Sequence, residues 1–131
     1  MHTFEIDADR KILFAEFNGS LDLRELIIHM NDVVQDEAFQ EGMNTLADLR
    51  NAFINISIDE ISALRDLLQQ HERKRKSKKW AVVVKSATTK AMINFALPMI
   101  GLKKAEIRTF QRKENALAWL MASNEGLGPD A

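Results

Sequence analysis

The sequence predicts an α/β fold: a mostly parallel mixed sheet of about five strands with helices, in the order β-β-α-β-α-β-α-β-α. Three observations carry this. Apolar runs of strand length alternate with longer stretches that have helical spacing. The run Trp80-Ala81-Val82-Val83-Val84 is uninterrupted and rich in β-branched residues, as a parallel strand covered on both faces requires. Each later strand is separated from the next by a helix. Right-handed crossovers therefore make those strands parallel and leave the first strand antiparallel to them.

Taken in order, Phe4-Glu5-Ile6-Asp7 alternates apolar and polar residues and reads as a half-buried strand. Asp9-Arg10-Lys11 supplies a turn, and Ile12 to Phe17 completes a hairpin that Asn18-Gly19 ends. Asp22 is placed as an N-cap, with Glu25 completing a capping box. The helix that follows carries Leu23, Leu26, Ile27, Met30 and Val34 as one apolar stripe and Asp32, Asp36 and Glu37 on its other side. Phe39 packs back after it, and Gly42 permits the turn into a central strand.

That strand is Thr45 to Leu49, with Asp48 near its end and Arg50 opening the next loop. Ser57 and Glu60 form a second capping box, and Ile61, Leu64 and Leu68 mark the buried side of a second helix. This helix runs out into the basic segment Arg73 to Lys79, whose cations complement the helix dipole. After the Trp80–Val84 strand, Ser86 or Thr88 caps a third helix from Thr89 to about Leu97, which Pro98 ends or kinks. Ala105 to Phe110 is a last strand near an edge. Glu114 to Met121 is a closing helix that buries Leu117 and Leu120. Residues 1–122 form one domain and 123–131 a flexible tail.

Composition narrows the function classes. The 131 residues are 46% hydrophobic and 28% charged, ordinary for one globular domain. The absence of cysteine excludes disulfides, thiolate metal sites and cysteine nucleophiles. Neither a signal-peptide pattern nor an apolar run approaching the roughly 18 residues of a spanning helix is present, so a cytoplasmic location is expected. The net charge of −1 hides a polarised chain. Residues 1–70 carry 5 Lys+Arg against 14 Asp+Glu, and residues 71–131 carry 13 against 5. Folding is expected to interleave the two halves.

The order of elements, Gly19 before an Asp-capped helix, the Leu46-Ala47-Asp48-Leu49-Arg50 strand and the Trp80-to-Val84 strand together resemble the SpoIIAA-like branch of the STAS (anti-sigma-factor antagonist) superfamily. The ending, Phe110 followed by Glu114 to Leu120, resembles that family's closing helix. The resemblance implies a small α/β domain that binds rather than catalyses, and no cofactor. Regulatory members carry a phosphorylatable serine in an Asp-Ser-Ser-Gly motif, over which Ile56-Ser57-Ile58-Asp59 falls. Ser57 matches the first serine, but Ile58 occupies the usual phosphate-acceptor position. The fold is also similar to that of CRAL-TRIO lipid-transfer domains, which hold apolar ligands.

The carboxyl ends of parallel strands are where ligands sit. There the sequence places Asp48, Arg50, Lys85 and Ser86, with Lys90 one helical turn on, as a polar cluster for an anionic headgroup or a partner's charge. The bland alternative is an internal ion pair of Asp48. Ser57 is either a plain N-cap or a modification site. The Arg73–Lys79 run reads first as a solvated helix end, ahead of contact with nucleic acid or an anionic membrane. The helix from Ala91 to Ile100 is apolar almost all round. Met92, Phe95, Met99 and Ile100 are thus core covered on two sides, a homodimer or protein-partner face, or the wall of a pocket for a small apolar ligand. No His, Ser and carboxylate set has catalytic or metal-ligand spacing. An enzyme using Asp48 with Lys85 is the last alternative.

Overall fold

The computed structural model describes residues 1–122; the tail expected from 123 onward lies outside them. The chain runs β1 (His2–Asp7), β2 (Ile12–Leu21), α1 (Leu23–Gln35), β3 (Asn44–Ile54), a 3-10 turn (Ile58–Glu60), α2 (Ile61–Arg75), β4 (Lys79–Val83), α3 (Ala87–Ile100), β5 (Glu106–Phe110) and α4 (Lys113–Met121). The five strands lie side by side in sequence order, β1 antiparallel to β2 and the rest parallel. The predicted architecture is therefore the observed one.

Because every crossover steps in the same direction across the sheet, right-handedness puts α1, α2 and α3 on one face. α4 follows the last strand and packs on the other. Alternation along the strands sorts the core accordingly. Ile12, Leu46, Ala81 and Val83 meet Ala116 and Leu120 of α4, while Ala15, Phe17 and Leu21 pack with Leu26 of α1.

Two strands are longer than their apolar runs. β2 passes through Asn18-Gly19 instead of ending there: a register shift between Glu16 and Asn18, with Gly19 at φ 77°, lets it go on pairing with β3 as far as Leu21–Ile54. β3 correspondingly continues to Ile54, so Asp48 and Arg50 stand within a strand and not at its end.

The helices depart from expectation at identifiable points. Asp22 caps α1 by accepting from Glu25 N at 2.8 Å. Glu25 does not complete the box, since its carboxylate turns to His2 Nδ1 at 3.0 Å and to the N-terminal ammonium at 3.1 Å. The buried stripe of α1 is His29, Met30 and Val33, and Ile27 is exposed. His29 lies edge-on to Phe17, its ring centroid 4.8 Å away. Ser57 N donates to Glu60 Oε1 at 2.9 Å, but this pair opens a 3-10 turn, and α2 starts only at Ile61. Helix α3 extends to Ile100 with Pro98 inside it, and Gly101 in the left-handed region (φ 60°) stops it.

The basic segment is not a uniformly solvated helix end. Arg75, Ser77 and Lys79 are buried, alternating with exposed Lys74, Lys76 and Lys78. Helix α2 ends at Arg75, Lys76 turns the chain in the left-handed region (φ 54°), and Ser77 then faces the interior, its Oγ donating to the Met43 carbonyl, before Lys79 enters β4. Lys79 begins β4 and its Nζ donates to the carbonyls of Trp119 at 3.0 Å and Ala122 at 3.1 Å, closing the C-terminus of α4.

Candidate functional site

Helix α4 covers only part of its sheet face, leaving the β1–β2–β3 side open. The resulting concavity, about 700 Å³, is lined by Glu5, Asp7, Phe14, Glu16, Asp48 and Lys113 among others. Glu16 and Asp48 are direct neighbours across the β2–β3 ladder. Arg50 relieves the crowding of these two carboxylates. Its Nε and Nη2 reach Asp48 Oδ1 and Oδ2 at 2.9 and 2.7 Å, and its backbone N reaches Oδ1 at 3.0 Å.

The Arg50 side chain holds the Asp48 carboxyl below its usual range, against the opposing effect of burial. An ionised, fully engaged carboxylate is poorly matched to general acid or base work near neutral pH. An Asp48→Asn substitution should leave Arg50 without its fork and cost about 1–2 kcal/mol in denaturant unfolding.

The expected cluster of Asp48 with Lys85 does not form. Asp48 stands opposite Val83, whereas Lys85 lies past the end of β4 and is exposed. Among the described residues Lys85 has no ion pair with Asp48, and the longer-range cation is Lys113. Ser86 accepts from Thr89 N at 3.1 Å and is the N-cap of α3. Lys90 is half-buried on α3. Lys113 and Glu16 were absent from the predicted cluster because their proximity to Asp48 depends on strand register and on where α4 docks.

The second surface is α3 itself. Met92, Phe95 and Met99 are 52, 77 and 47% exposed, whereas Ile100 is buried and belongs to the core. The expected group of four thus divides into three exposed residues and one interior one. The reading of α3 as core covered on two sides is ruled out by the same exposures. Gln69 Nε2 donates to the carbonyls of Ile100 at 2.9 Å and Gly101 at 3.3 Å, fixing the end of α3 to α2.

Below that end lies a cationic groove of about 790 Å³ with Arg73, Lys76, Lys78, Lys103 and Lys104 on its walls. Glu72 also borders it but is turned to protein amides. Its carboxylate accepts from the backbone N of Lys103 at 3.2 Å and from those of Lys104 and Ala105 at 2.6 Å each. Burial acts to raise its pKa, and the three amides outweigh that and hold it below the usual range.

A third feature was not legible in the sequence: a polar layer buried between α1, α2 and the sheet. Arg75 is only 2% exposed, its guanidinium carbon 5.7 Å from the Phe39 ring centroid and 5.6 Å from that of Trp80. Its Nη2 donates to Thr45 Oγ1. Burial lowers its pKa to about 10. Burial likewise lowers His29 to about 3 and His71 to about 4, with the charge of Arg75 adding to both. Among the described residues no group of three or more His, Asp or Glu is placed to hold a metal ion. No helix there is long and apolar enough to cross a membrane.

A single α/β domain with three helices on one sheet face and one on the other, and with its exposed features on helix and strand surfaces, is the STAS type of module. The family model described as SpoIIAA-like matches residues 12–121, and the chain belongs to that family. It is similar to a crystal structure of an uncharacterised DUF3478-family protein with a SpoIIAA-like fold from Shewanella loihica PV-4. The two share 17% identity at a TM-score of 0.62, over 91% of this chain and 93% of the other. Among curated proteins no sequence matches.

Proposed function

We propose that this domain is a non-catalytic binding module that works through protein–protein contact, with α3 as the docking element and a second copy of the chain as its partner. The observation that carries the reading is the exposed trio Met92, Phe95 and Met99. Their spacing of three and then four residues is that of a two-helix seam, and methionines flanking an aromatic residue suit a packed helix contact. A Phe that is 77% exposed on a rigid helix gains little from the monomer. The paired, ionised Asp48 further favours binding over catalysis.

Sedimentation velocity across a concentration series tests this. Wild type should pass from monomer to dimer, and Phe95→Asp should weaken the dimer at least about tenfold. Because Phe95 is a surface residue, the variant should unfold within about 0.5 kcal/mol of wild type. A wild type that stays monomeric and matches the variant at every concentration would refute the dimer. Co-sedimentation with anionic vesicles that depends on Phe95 would instead assign the face to a membrane surface.

A further inference from the structure

Among the described residues, the buried layer around Arg75 gathers polar groups away from the surface. Thr45 and Trp80 face each other across the β3–β4 ladder. Arg75 on α2 packs onto them, the Phe39 ring also lies within reach of its guanidinium, and His71, one turn earlier on the same helix, is buried. Two obligate donors in this layer, Arg75 Nε and Trp80 Nε1, are buried without an acceptor, and the Nδ1 atoms of His71 and His29 are likewise unpartnered. Neither an arginine Nε–H nor an indole N–H can accept, so only an outside lone pair satisfies them. No carboxylate pairs with Arg75 among the described residues. Glu72, the acidic residue nearest to it in α2, is committed to the amides of residues 103–105.

We propose that Arg75, Trp80 and His71 form an internal receptor for an oxyanion, a carboxylate or phosphate group, with Thr45 and the Phe39 ring fixing the guanidinium in place. A planar guanidinium with a free Nε–H edge recognises two oxygens of such a group side by side. The indole N–H supplies a further donor, and His71 adds one when its proton sits on Nδ1. The cationic groove of Arg73, Lys76, Lys78, Lys103 and Lys104 flanks the same end of α2 and raises the local concentration of anions there. The anion is either a free inorganic ion or the head of an aliphatic acid.

The chain has two tryptophans, so its proton–nitrogen spectrum holds two indole signals, assigned by Trp119→Phe. Titration with phosphate, acetate or decanoate at constant ionic strength and neutral pH should move the Trp80 signal saturably and leave that of Trp119 in place. Response to phosphate and acetate points to a free ion, and response to decanoate well below the acetate range points to an aliphatic acid. The melting temperature should rise with the logarithm of the same ligand. Arg75→Met should abolish both responses, while Arg75→Lys, which keeps the charge without the fork, should weaken them at least about tenfold. Should Arg75→Met fail to fold, Trp80→Phe tests the melting response alone and should reduce it. A Trp80 signal indifferent to all three anions, or one that moves equally in Arg75→Met or together with Trp119, would overturn the proposal.

Discussion

Acidification from pH 7 to about 4 should unfold this protein, and two buried histidines should set the slope. His29 and His71 have pKa values lowered to about 3 and about 4, against 6.5 for free histidine, first by burial and then by neighbouring positive charge. A base whose folded pKa is depressed binds its proton more readily in the unfolded chain. Its contribution is therefore complete above pH 6.5 and is lost as pH falls toward the folded value. Each such group contributes about 1.4 kcal/mol per pH unit in that window, so the pair contributes about 3 kcal/mol per unit between pH 6 and 4. Against a domain stability of about 5–15 kcal/mol, that loss is decisive. Asp48 and Glu72, whose pKa values are also depressed, add to the loss at the acid end. Urea unfolding at a series of pH values measures the slope. His29→Phe, which places a ring among Phe4 and Phe17, should remain folded and roughly halve it. A stability that is flat between pH 6 and 4 would show that the histidines take up protons in the folded state.

The architecture was legible because it rests on patterns that read locally. The β-branched Trp80–Val84 run, the alternating Phe4–Asp7 segment and the helical spacings around Met30 and Leu64 each identify an element, and crossover handedness then orders the sheet. What was not legible depends on contacts distant in sequence. β2 and β3 outrun their apolar stretches because each supplies the other's hydrogen bonds past the shift at Glu16/Asn18. Glu25 left its capping box because His2 and the N-terminus compete for its carboxylate. Arg75 looked like one of a row of solvated cations, although one helical turn before it His71 is buried on the same side. The run carries cations at interior and exterior positions alike, so its residue types did not mark Arg75 as buried.

The candidate sites divide in the same way. Met92, Phe95 and Met99 stood out by composition alone, since they exceed what one buried stripe requires, and they are indeed exposed. The sequence placed Asp48 near the end of a strand and Arg50 in the loop after it, whereas their mutual fork depends on a two-residue spacing within one continuous strand, which turns both side chains to the same face. The extension to Lys85 failed because strand ends in the sheet are staggered, and β3 runs on while β4 stops at Val83.

Replacing Glu72 should loosen the helix proposed to dock. Its carboxylate is the acceptor for three successive backbone amides, those of Lys103, Lys104 and Ala105, which lie between α3 and β5. With Gln69 holding the carbonyls of Ile100 and Gly101, it ties the C-terminal end of α3 to α2. Glu72→Ala removes the acceptor from three amides, of which that of Ala105 is buried while Lys103 and Lys104 are exposed residues, so the loss should be about 1–3 kcal/mol, most of it from the Ala105 orphan. Glu72→Gln keeps one acceptor oxygen and gives up the charge, and should cost about half as much. The loss should not be spread evenly. Hydrogen exchange should quicken across α3 and the 101–105 loop in Glu72→Ala while the β2–β3 ladder stays protected, because the severed contacts all lie at that one corner. If α3 docks as a rigid helix, the same variant should weaken dimerisation although it leaves Met92, Phe95 and Met99 untouched. A Glu72→Ala protein with unchanged exchange in α3 and unchanged association would uncouple the two, and would show that α3 is held by its sheet contacts alone.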